Sequence, residues 1–71
     1  MKEIKVGDVF INRRGAIVVV QEPTKSGNPQ YNIAPSSEDY FKGFYECRGT
    51  MDYEGLDNIL KANGYERINR R

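Results

Sequence analysis

The chain has no histidine, no tryptophan and a single cysteine, Cys47. Without histidine the commonest general base is missing, and so is every triad built on it. One cysteine closes no internal disulfide, so the small size is not that of a stapled secreted scaffold. The same shortages remove the Cys/His spacings of a zinc site. No glycine-rich motif is present to cradle phosphate. Long apolar runs are also lacking: the longest, Ala16 to Val20, falls far short of a membrane span. No charged-then-apolar leader opens the sequence. These absences set the expectation of a cytoplasmic protein that is not an enzyme, uses no cofactor or metal and does not enter a membrane.

Seventy-one residues suffice for one domain and leave nothing for a second core. A domain of this size hides only roughly 60% of its unfolded surface, close to the lower limit for folding unaided. Eleven basic and ten acidic residues give a net charge of +1, unevenly spread. Residues 1–35 carry five bases and three acids, residues 36–66 three bases and seven acids, and the last five residues Arg67, Arg70 and Arg71. A near-neutral total argues against blanketing nucleic acid by charge alone, but the patterning leaves room for a local basic patch.

Turn chemistry and β-branching punctuate the first half. Ile4 and Val6 precede Gly7-Asp8, a turn or bulge signal, and Val9-Phe10-Ile11 follows as a short strand. In Asn12-Arg13-Arg14-Gly15, Asn suits the first position of a type I turn and Gly supplies the positive φ that closes it. Ala16-Ile17-Val18-Val19-Val20 is the return strand, apolar on both faces and therefore central. Glu22 to Gln30 reads as a loop, Tyr31 to Ala34 as a third strand stopped by Pro35, and Pro35 to Asp39 as a polar turn. Gly43 to Arg48 reads as a fourth strand ended by Gly49, with Cys47 a buried small hydrophobe within it.

The second half is dominated by a helix predicted over Tyr53 to Asn63. Asp52 is the N-cap, and Met51 with Leu56 has the spacing of a hydrophobic staple. Leu56, Ile59 and Leu60 form the apolar stripe, and Gly55 is the one weak helix residue. Gly64 fits the left-handed position past the end, with Tyr65 packing back on Leu60. Asp52, Glu54 and Asp57 serve the cap and the helix dipole and need no cation. Tyr65 to Ile68 reads as a last short strand and the final residues as a fraying tail. The expected fold is α+β: a small antiparallel sheet, or half-open SH3-like barrel, of four to five strands with one C-terminal helix.

Val6 to Phe10, the charged turn ending in Gly15 and the Ile17 to Val20 strand resemble the opening of small prokaryotic SH3-like or KOW-like barrels. Leu56, Leu60 and Asn63-Gly64-Tyr65 resemble the closing helix of short phage or prophage proteins. These resemblances cover about half the chain. They imply a fold and a genomic style, and no functional residue is carried over from them.

Two surfaces invite a functional reading. Tyr40, Phe41, Phe44 and Tyr45 lie within six residues, with Tyr31 on a neighbouring strand. A narrow core does not hold all five, and exposed aromatics serve protein partners or stack on bases. Arg13 and Arg14 at the hairpin tip, Lys2 and Lys5 near the start, and Arg67, Arg70 and Arg71 at the end form a basic set suited to backbone phosphates. The bland alternatives are core and rim for the aromatics and solubilising charge for the bases. Glu38-Asp39 reads as a solvated loop pair. The leading expectation is a protein-binding accessory module, an adaptor or inhibitor with an unidentified protein partner. The second is a small nucleic-acid-binding barrel. A monomer or weak homodimer fits either, since a small open sheet leaves edges.

Overall fold

The computed structural model describes residues 4–68. Its elements are β1 (Val9–Ile11), β2 (Ile17–Gln21), β3 (Gln30–Ala34), α1 (Ser37–Phe41), β4 (Glu46–Gly49), α2 (Tyr53–Ala62) and β5 (Glu66–Arg67). The five strands form one antiparallel sheet in the order β4-β3-β2-β1-β5. β2 holds the centre, as a strand apolar on both faces should: Ile17, Val18 and Val20 are buried. The edges β4 and β5 do not meet, so the sheet stays open and is not a closed barrel.

Register sorts the side chains. Phe10 pairs with Val18, Val18 with Ile33, and Val20 with Tyr31, so these residues share one face. There Phe10, Val18, Val20 and Tyr31 form the core with Leu56 and Leu60 of α2, and Ile4, Ile33, Tyr53 and Tyr65 pack around it. The other face carries Val9, Ile11, Val19 and Asn32, with Ile17 and Ala34 paired and buried.

Local rules hold at the joints. Asn12 Oδ1 accepts hydrogen bonds from the Arg14 and Ala16 amides, both at 3.0 Å, and Gly15 closes the turn at φ +91°. At the start of α2, Asp52 Oδ1 accepts from the Gly55 amide at 2.7 Å. At its end the Tyr65 amide donates to the Leu60 carbonyl and the Gly64 amide to the Lys61 carbonyl, the paired bonds of a Schellman cap.

Five expectations are corrected. Pro35 to Asp39 is not merely a turn, because Ser36 caps a second helix, α1: its Oγ accepts from the Asp39 amide at 3.1 Å. β4 begins at Glu46, three residues late, because the Gly43 and Phe44 amides donate to the Tyr40 and Asp39 carbonyls at the exit from α1. Cys47 is exposed, because its strand is an edge strand with all four residues in solvent. Met51 forms no staple on Leu56; it is 85% exposed while Leu56 is fully enclosed. Ile59, expected in the apolar stripe, is also partly in solvent, leaving Leu56 and Leu60 as the buried residues of α2.

Candidate functional site

The aromatic surface grows out of α1. Ser36 fixes the helix start, which puts Tyr40 and Phe41 on its last turn. Tyr40 is half-buried and acts as the base of a small stack. Tyr45 lies over it with ring centroids 4.7 Å apart, and the Phe41 ring meets it edge-on at 5.9 Å. Phe41 is 82% exposed, Phe44 66% and Tyr45 45%. Phe44 and Tyr45 also line a groove of about 560 Å³ together with Ile33, Ala34 and Pro35. The structure thus brings together four of the five aromatic candidates. Tyr31 is set apart: it is buried on the α2 face of the sheet.

The electrostatics around this surface are acidic or self-neutralised. Glu38 pairs with Lys42 across one helical turn at 3.3 Å. Glu46 and Arg48, both lining the groove, pair at 2.8 Å on the same face of β4. The Glu46 hydrogen bond, and then its charge, raise the Arg48 pKa above the ordinary guanidinium value, so Arg48 is permanently cationic. At the core, where Tyr65 packs, burial raises its pKa, Tyr31 adds to the rise and Arg48 opposes it.

The basic candidates do not form one face among the described residues. Arg13 and Arg14 are exposed on the β1–β2 turn, beside a second groove that they share with Asn63, Gly64 and Glu66. Arg67 is only 27% exposed at its side chain and is committed inward. Its guanidinium sits 3.4 Å from the buried Asp8 carboxylate and 5.6 Å from the Phe10 ring centroid. Asp8 also accepts from the Lys5 amide at 2.8 Å. Arg67 therefore ties β5 to the start of the chain, a role that sequence reading assigned to phosphate contact. Lys2, Arg70 and Arg71 lie outside the described residues.

Among the described residues no group of three or more acidic or cysteine side chains gathers to hold a metal ion. No helix among them is long and apolar enough to cross a membrane. Sequence reading missed α1 and hence the platform under Phe41 and Tyr45. The signal was the Ser36-x-x-Asp39 spacing, which is that of a capped helix start. No protein family, curated protein or solved structure matches the chain.

Proposed function

We propose that the chain is a non-enzymatic protein-binding accessory module, of the adaptor or inhibitor kind, whose contact surface is Phe41, Phe44 and Tyr45 around the groove. The observation that carries this reading is the exposure of three aromatic rings on one short segment, two of which line a groove shared with Ile33, Ala34 and Pro35. Rings in that position are the residue types that dominate binding energy once a partner removes them from water. Glu38, Asp39 and Glu46 flank them, which suits a protein partner better than a polyanion.

The test uses an immobilised wild-type chain and a Phe41→Ser/Phe44→Ser double variant in the same cell lysate. Both residues are exposed, so each change should shift stability by no more than about 0.5 kcal/mol. A protein retained by the wild type and released by the variant supports the reading. Equal retention by both, or no retention by either, removes it.

One observation favours a nucleic-acid reading as an alternative. The Arg13-Arg14 turn precedes Ile17 and α1 follows Ala34, and Ile17 pairs with Ala34, so bases and aromatics flank the same end of the sheet. That reading requires affinity for a single-stranded oligonucleotide to fall steeply with salt, and Arg13→Ala/Arg14→Ala to flatten the slope. A salt-independent signal excludes it.

A further inference from the structure

The edge strand β4 exposes, besides the side chains that line the groove, a row of backbone groups along its outer edge. The Thr50 amide donates to the Pro29 carbonyl at 3.1 Å, which fixes the phase of the β3–β4 ladder. In antiparallel pairing, bonded and non-bonded pairs alternate, so Arg48 and Glu46 exchange hydrogen bonds with Tyr31 and Ile33. The N–H and C=O groups of Cys47 and Gly49 then point away from the sheet, and no strand lies beyond them among the described residues. β4 lacks proline and lysine, the residues that usually blunt an edge. The other edge is less suited to growth, because β5 has only two residues, one of them the inward-committed Arg67.

We propose that β4 pairs with β4 of a second copy, antiparallel, with Cys47 opposite Cys47, joining two five-stranded sheets into one. The occupant is selected by charge and register together. Only pairings that bring outward-facing Cys47 and Gly49 groups into hydrogen-bonded positions are allowed. Centred on Glu46, such a pairing sets Glu46 against Glu46; centred on Arg48, it sets Arg48 against Arg48. Like charges directly opposite are unfavourable. Centred on Cys47, it places Glu46 opposite Arg48 twice, on the same face and in the closer, non-bonded pair positions. The same register sets Gly49 opposite Tyr45, the residue just before the strand, so no side chain obstructs the pairing at its ends. The Glu46–Arg48 pair within each chain then becomes a four-residue network across the two-fold axis. This inference does not rest on the reading of Phe41 and Phe44 as a partner surface.

Sedimentation equilibrium tests it on the full chain. The wild type is expected to rise with concentration from 8.2 kDa toward twice that mass. Glu46→Arg alone and Arg48→Glu alone each oppose like charges in this register, and each should weaken the dimer at least about tenfold. An equimolar mixture of the two variants restores opposite charges across the axis, as does the double swap in one chain, so both should recover dimer. Cys47→Pro removes an outward N–H without touching the β3 ladder and should leave a folded monomer. Circular dichroism confirms that each variant keeps its sheet. The proposal is overturned by a wild type that stays monomeric up to about 1 mM, which would leave the edge to some other extended peptide. It is equally overturned if the single charge variants dimerise as well as the wild type, or if mixing them restores nothing.

Discussion

Gly64 shows how much one position can hold. Its φ of +74° lies in the left-handed region, and a Cβ built there meets nothing within 4 Å. The cost of a side chain at this site is therefore backbone strain and not collision. Gly64→Ala should lower stability by roughly 1–2 kcal/mol, and Gly64→Asn by less, because Asn tolerates that conformation. Urea unfolding of the three proteins gives the ranking, with an unchanged slope expected for a purely native-state effect. Tyr65, the next residue, adds a pH signature. Burial, and then Tyr31, raise its pKa above the ordinary phenol value, so the folded state favours the protonated ring. Its contribution is fully present below the unfolded pKa and is lost as pH rises through the raised, folded value. The wild type should lose stability above about pH 10, and Tyr65→Phe should lose less over the same range. Parallel alkaline titrations of the unfolding midpoint would show the two curves separating, and curves that stay parallel would refute the assignment.

Among the elements, α1 depends most on a single hydroxyl. A five-residue helix is below the length that sustains itself in water, so its start must be held. Ser36→Ala removes the bond to the Asp39 amide and should cost about 1 kcal/mol locally. The readout is faster amide exchange at Asp39 together with a weakened near-ultraviolet dichroism from the Tyr40–Tyr45 stack, while α2 keeps its protection. The Ser36 bond also explains what was legible in the sequence. Elements set by neighbours in the chain could be read directly: the valine run of β2, the Asn12 turn, the Asp52 cap and the Gly64–Tyr65 stop. α1 was hidden because its two aromatics are adjacent, without helical spacing, and Pro35-Ser36-Ser37 looks like a turn. The exposure of Cys47 and the engagement of Arg67 were illegible for a different reason. Each depends on strand order, which places β4 outermost and brings Arg67 back to Asp8, and strand order is set by contacts far apart in sequence.

The whole molecule divides its apolar residues between a buried core and an exposed surface, and the division can be measured. One core, gathered under α2 and centred on the fully enclosed Leu56, carries stability. Phe41 and Phe44 stand outside it, as does Met51. In so small a domain the total stability is of the order of 5 kcal/mol, the difference between burial and chain entropy that nearly cancel. Truncating a fully buried leucine typically costs about 2–5 kcal/mol, because the cavity left behind closes only in part. Leu56→Ala should therefore remove most of the margin and lower the melting temperature by roughly 10–30 °C. Phe41→Ser, a larger loss of apolar surface, should leave the melt almost unmoved, since that surface faces water in the folded and unfolded chain alike. The contrast is read in two thermal melts at one concentration, chosen low enough that association adds nothing. If Phe41→Ser destabilised the fold as Leu56→Ala is expected to, the exposed ring would be supporting the interior, and the aromatic surface would lose its claim to be free for a partner.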